Sequence, residues 1–468
     1  MLNSVTDDFK RKLRGLLPQE CFRELTKSYL EEPRGQLFGS GGLLLAPNNT
    51  EDVAKIVKAC SDARVGIIPY GGGTGLVGGQ IYSEGSAPVI LSTQRMNKVR
   101  SIWIEENVIL VEAGSVLKDI QDKAESEGCL FPLSLASEGS ARIGGNLATN
   151  AGGVNVVRYG STRDLCLGVE AVMPDGSIFN GLSRLRKDNT GYDIKNLLIG
   201  SEGTLGIITA ASLKLFPRPE VESAALFVVR DPLAAIDLFA MCRDKFGDGL
   251  NAFELINGVG LKFLSEVGPK VRQPFSYNPE WIVLLDVGFN YGIVPEEALE
   301  KLFIEAESRD LVSDGLVAQS LEQRLDFWKI RESIPEANHR IGAISSSDLS
   351  VPISLIPEFI TKAENLLSKV GDFRINCFGH IGDGNIHYNI FPLKGESREI
   401  YKNKSKIVNK VLYDLVDQLD GSFSAEHGIG RLKVNELCRY SDPTKFKIMK
   451  NIKSALDPLG IMNPGVIF

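Results

Sequence analysis

Histidine is scarce in this chain, with four in 468 residues. Cysteine is hardly commoner: seven are scattered, none in a Cys-x-x-Cys pair. That excludes a dedicated iron–sulfur cluster or zinc knuckle and fits a reducing compartment. No apolar run approaches the ~20 residues of a membrane-spanning helix. Positive charge is not in excess, since 52 Lys and Arg against 59 Asp and Glu leave a net charge of −7. Nucleic acid is therefore not an expected partner. Met1 to Glu20 is too acidic and too broken for a signal peptide, so the expected location is cytoplasmic. The length exceeds one ordinary core and predicts two domains or three.

Three of the four histidines fall in two short motifs. The first is Phe378-Gly379-His380-Ile381-Gly382-Asp383-Gly384-Asn385-Ile386-His387, and the second is Glu426-His427. Asp383-Gly384 is a two-residue hairpin signal, which predicts His380 directly opposite His387. Opposed residues share one face with Cβ atoms roughly 4.5–5.5 Å apart. Two imidazoles and a carboxylate make a three-ligand set with open positions, as a catalytic metal needs. Two solvated polar residues on a hairpin are the plainer alternative. His339 lies in no motif and is expected to pack or hydrogen-bond locally.

Upstream, residues 1–37 read as a helical lead-in. Leu43–Ala46 is an expected strand, and Thr50 the expected cap of a helix with an apolar stripe of Val53, Ile56, Val57 and Cys60. A second strand, Val65–Pro69, runs into Gly71-Gly72-Gly73-Thr74-Gly75-Leu76-Val77-Gly78-Gly79. Gly73-x-Gly75-x-x-Gly78 matches the Rossmann fingerprint, but no helix opens there and no acid follows the next strand. What remains is that consecutive glycines let backbone N–H groups close on a diphosphate. Similar segments at 137–153 and 199–208 predict a long ligand lying extended across the domain. Beyond about residue 222, longer strand–helix alternation predicts an antiparallel sheet covered by helices on one side.

Together, Pro69–Gly75, Ile143–Gly153, Arg186–Asp193, Gly200–Gly206, the histidine hairpin, Ala425–Gly428 and Asn463–Gly465 resemble the vanillyl-alcohol oxidase/p-cresol methylhydroxylase flavoproteins. Within that family the similarity is to the D-2-hydroxy-acid dehydrogenase branch, from about residue 38 to the C-terminus. The resemblance implies an α+β chain with a two-part FAD-binding domain at 38–217. It further implies an α+β substrate (cap) domain on an antiparallel sheet at 218–430, and a segment at 431–468 returning to the FAD domain. Gly71, Gly72, Gly73, Thr74 and Gly75 would hold the pyrophosphate. Gly139, Gly145, Asn146, Thr149 and Gly152 would line the flavin and ribityl chain, and Ile207 and Ile208 the adenine half. Pro69, Gly78, Gly203 and Asn463 complete the implied cofactor set. His380, His387 and Glu426 match the metal ligands, for zinc or manganese. His427 matches the residue beside the flavin, Arg331 the substrate-carboxylate arginine, and Asn385 a substrate-side amide.

The implied reaction is FAD- and metal-dependent oxidation of a D-2-hydroxy acid, of the D-2-hydroxyglutarate, D-lactate or glycolate class, by hydride transfer to flavin N5. An external acceptor would then take the electrons: an electron-transfer flavoprotein, quinone, cytochrome or iron–sulfur subunit. A homodimer is an assembly to consider. Because every histidine lies at 339 or beyond, FAD is expected to be non-covalent. The branch's hydroxyglutarate enzymes hold the distal carboxylate with a threonine four residues and a lysine fifteen residues beyond the helix arginine. Here those positions are Pro335 and Ser346, which makes a smaller hydroxy acid a comparable expectation. Two rivals stand beside this reading: a flavin subunit of a glycolate oxidase-type complex, and a metal-dependent hydrolase binding a nucleotide.

Overall fold

The computed structural model describes residues 1–35 and 37–468; Gln36, within the expected lead-in, lies outside the described residues. The chain forms two compact units. Unit 1 comprises 1–152, 160–217 and 426–468, and unit 2 comprises 153–159 and 218–425.

Unit 1 carries two main sheets. The first orders Phe22–Arg23, Leu43–Leu45, Val89–Ser92 and Ile67–Tyr70, the last three mutually parallel. The strand–helix–strand expected at 43–69 therefore exists, with its partner strand between the two ends. Its helix, Thr50–Ala63, is capped by Asn49 rather than Thr50: the Asn49 side chain accepts the Asp52 N–H at 2.7 Å. Val53, Ile56, Val57 and Cys60 of that helix are fully buried in one core with Leu13, Ile67 and Leu91. Each such side chain contributes about 1.5–3 kcal/mol of burial. Of the lead-in, Asp7–Leu16 is an α-helix and Gln19–Cys21 and Lys27–Tyr29 are 3-10 turns, while Phe22 and Arg23 pair with Leu45 and Leu44. The second sheet is a five-stranded antiparallel one, ordered Val99–Trp103, Val108–Glu112, Ile207–Lys214, Cys166–Val172, Ile178–Gly181. The C-terminal segment joins the first sheet, where Ile67 N–H reaches Ile461 O and Asn463 N–H reaches Ile67 O.

Unit 2 is built on one seven-stranded sheet, antiparallel throughout: Val312–Val317, Val221–Val229, Trp281–Phe289, Leu250–Asn257, Arg374–Gly379, Asn385–Phe391, Ser345–Ser350. The long helix Leu321–Ile341 packs Phe327, Ile330, Ile334 and Ala337 against Leu226, Ile256 and Phe378. Among the described residues no helix is long and apolar enough to cross a membrane.

The histidine hairpin does not have the expected register. His387 faces Phe378, and five residues, His380 to Gly384, separate the strands. Ile381–Asp383 forms a 3-10 turn closed by Gly384 at φ +89°. Ile381 is buried there, and Gly382 lies against Phe253 and Phe239. Burying that apolar turn takes the residues a tight Asp-Gly turn would have left for pairing.

Candidate functional sites

All the expected cofactor residues except Gly78, Gly139 and Gly152 line one cavity of unit 1, and His427 lines it with them. Much of its wall is backbone. A Cβ on Gly72 would lie 2.3 Å from Ser140 O, and Gly73 holds φ +73°. Gln80, which the motif reading passed over, donates to Gly75 O at 2.8 Å and Gly73 O at 3.3 Å. Those carbonyls are thereby occupied and present less negative charge to an anion. Of the three outside the lining, Gly78 serves a turn at φ +72° against Leu37, and Gly139 stands in open space. Gly152 ends the first segment of the unit.

Three buried oxygens in the lining, Thr93 Oγ1, Asn146 Oδ1 and Asn463 Oδ1, have no hydrogen-bond partner within the protein. Leaving such a group unsatisfied costs about 1–3 kcal/mol. Three around one cavity suit a ligand with many polar atoms, as FAD is. Arg142 is the one Lys or Arg among the described lining residues. Burial draws its pKa down, and its guanidinium donates to Gly114 O. It supplies positive charge that a diphosphate requires.

Glu202 is the second residue missed by sequence reasoning. Its carboxylate accepts the Ile429 and Gly430 N–H groups at 2.8 and 2.7 Å. Burial pushes its pKa up against those two donors, which pull it down. The loop that carries His427 is thus tied to a buried acid of the third glycine segment. His427 Nε2 lies 3.6 Å from Glu426 Oε1. No histidine lies within residues 38–217, but His427, expected beside the flavin, belongs to unit 1 and brings an imidazole to the cavity.

Unit 2 holds His380, His387, Arg331 and Asn385, whereas Glu426 opens the last stretch of unit 1. Although not opposed in register, the two imidazole rings have centroids 5.4 Å apart at 80°. His380 Nδ1 meets Glu254 Oε1 at 2.6 Å, and Arg331 Nε donates to Glu254 Oε2 at 2.7 Å. Glu254 is fully buried; burial alone would raise its pKa, but His380 and then Arg331 outweigh it and hold the carboxyl down at about 2. The Arg331 guanidinium lies over the Phe378 ring at 4.7 Å. His387 Nδ1 is 3.9 Å from Asp348 Oδ1. Asn385 Nδ2 donates to Asp348 Oδ1 and Leu349 O, both at 2.9 Å. Pro335 and Ser346 are both exposed, and His339 is exposed in the last turn of the Leu321–Ile341 helix. Two neighbouring imidazoles, one of them backed by a carboxylate, are a donor set that fits a divalent transition metal.

Residues 42–181 match the FAD binding domain family, and residues 218–467 match the C-terminal domain of FAD linked oxidases. The chain is 37% identical over 430 residues to the mitochondrial D-2-hydroxyglutarate dehydrogenase of Arabidopsis thaliana, covering 91% of this chain and 75% of the relative. It is 36% identical over 467 residues to the mitochondrial D-2-hydroxyglutarate dehydrogenase of Danio rerio, covering 98% and 85%. The solved structure of p-cresol methylhydroxylase with substrate bound superimposes with a TM-score of 0.73 at 17% identity, covering 99% and 98%, and so shares the fold. The cytoplasmic expectation is corrected by the relatives' names, which point to mitochondria. The chain belongs to the FAD-linked oxidase family, in its D-2-hydroxy-acid dehydrogenase branch.

Proposed function

We propose that this chain oxidises D-2-hydroxyglutarate to the 2-oxo acid with FAD and one divalent metal, zinc or manganese, and passes the electrons to an external acceptor. The observation that carries this reading is the cluster of His380, His387, Arg331 and Glu254 in unit 2. The relatives' names supply the substrate. Bound FAD would supply a hydride acceptor for the hydrogen on the substrate's C2, and a bound metal would supply polarisation of the adjacent hydroxyl. His380, His387 and Glu426 are the proposed ligands. His427 takes the hydroxyl proton at an imidazole nitrogen, a role suited to the side chain whose ordinary pKa lies nearest neutrality. Arg331 holds a carboxylate with the guanidinium edge not committed to Glu254, and Asn385 presents its amide oxygen. D-Lactate oxidation is the second reading, favoured by the absence of charge at Pro335 and Ser346.

Anaerobic bleaching of the ~450 nm flavin band by a panel of D- and L-2-hydroxy acids, with and without chelator, tests both readings. D-2-hydroxyglutarate is expected to bleach fastest, and chelator to stop it. Bleaching by D-lactate alone would transfer the assignment to the second reading, and bleaching untouched by chelator would remove the metal.

FAD is proposed to be non-covalent, since a His427 bonded to flavin could no longer serve as a free base. Acid precipitation is expected to leave the yellow cofactor in the supernatant. Colour retained on the pellet would show a covalent link, with His427 the first residue to examine.

A further inference from the structure

We propose that Glu254 is the positioning residue that holds His380 in its metal-binding tautomer and, through its other oxygen, aims Arg331 at the substrate. This rests on the reading of His380 as a metal ligand. Glu254 lies within the strand Leu250–Asn257, between Phe253 and Leu255, and is wholly buried. A carboxylate there needs partners for both oxygens, because a buried charge without them is strongly destabilising. The fold provides one for each. Leu255 pairs with Gly379 in the adjoining strand, and continuing that register by one residue places Glu254 beside His380. From the Leu321–Ile341 helix, Arg331 brings its Nε to the second oxygen at 2.7 Å.

The tautomer follows from this contact. An ionised carboxylate only accepts hydrogen bonds. The 2.6 Å contact with Oε1 therefore puts the imidazole proton on Nδ1, leaving Nε2 with the lone pair a metal requires. A carboxylate behind a ligating imidazole also raises its basicity. On the other side, Glu254 occupies Nε and the Phe378 ring lies beneath the guanidinium plane. The terminal nitrogens are then turned to a fixed direction, as a bidentate hold on a substrate carboxylate needs. A single buried acid thus orients the metal's histidine and the substrate's arginine together.

Glu254→Gln cannot serve both partners: its one oxygen can accept from either His380 or Arg331, and its NH2 opposes the other. The test uses full-length, flavin-loaded protein stripped of metal, with zinc affinity measured by competition against a chromophoric chelator. Glu254→Gln is expected to weaken zinc binding about 10–100-fold with flavin content as in the parent. His387→Ala is measured beside it. If His387→Ala loses zinc while Glu254→Gln binds it as the parent does, the role of Glu254 is overturned and the metal reading survives. If both bind as the parent does, the metal reading falls, and this proposal with it. Should Glu254→Gln not fold, long-range proton–nitrogen correlation on the histidine-labelled, metal-stripped parent decides the matter. Protonation of His380 on Nδ1 is expected, and protonation on Nε2 would overturn the proposal.

Discussion

Replacing His427 with alanine is expected to slow flavin reduction by about 10²–10⁴-fold, the usual contribution of a positioned general base. The side chain lines the cavity that the glycine segments form, so its loss removes a group from the reacting region and leaves the cofactor's other contacts in place. Its loop has an anchor besides the imidazole. Glu202 holds it through the Ile429 and Gly430 N–H groups, which the substitution does not touch. Flavin content and thermal stability should therefore match the parent. A distance of 3.6 Å from His427 Nε2 to Glu426 Oε1 is too long for a hydrogen bond between those atoms. Anaerobic stopped-flow reduction by D-2-hydroxyglutarate measures the effect. The rising limb of the pH–rate profile should vanish, and added imidazole should restore part of the rate. A variant reduced within about threefold of the parent rate would take His427 out of the base role.

The glycine segments were legible in the sequence because the constraint there is local. Where backbone must approach backbone, as Gly72 approaches Ser140 O, only one residue type fits. The failed Rossmann match was legible for the same reason, since Gln80-Ile81-Tyr82-Ser83-Glu84-Gly85 after Gly79 reads as a turn and not as an opening helix. The hairpin register was not legible. Asp383-Gly384 does make a left-handed turn position at Gly384, but the burial of Ile381 decides how many residues the turn consumes. The next residue, Gly382, lies against Phe253 and Phe239, more than a hundred residues away. Thr50 was a sound cap candidate, yet Asn49 stands one residue earlier and caps better. Glu202 and Glu254 were missed because their partners are 227 and 126 residues distant in sequence. The available signal was a single acid inside an apolar strand, Leu250-Asn251-Ala252-Phe253-Glu254-Leu255-Ile256, which a fold must either pair or expel. Compartment was misread, because the scatter of the cysteines and the character of Met1 to Glu20 do not decide it.

Arg331 should give the largest effect on stability, and its two substitutions should separate two roles. Arg331→Ala leaves Glu254 buried with one oxygen stripped of its cation. Breaking a buried pair from one side costs about 3–5 kcal/mol, a large part of the stability of an ordinary domain. Thermal or urea unfolding should show the loss directly, and activity should fall with it. Arg331→Lys restores a charge without a fork. An ammonium that reaches Glu254 cannot also offer two parallel N–H groups to a substrate carboxylate. Much of the stability should return, while KM rises by the worth of one charge-assisted hydrogen bond. At about 1.5–3 kcal/mol that is roughly ten- to a hundredfold. The split between the variants is the informative part. If both lose stability equally, the Glu254 contact needs the guanidinium shape as well as its charge. If KM for every hydroxy acid is unchanged in Arg331→Lys, Arg331 is a structural counter-ion to Glu254 and the substrate carboxylate is held elsewhere.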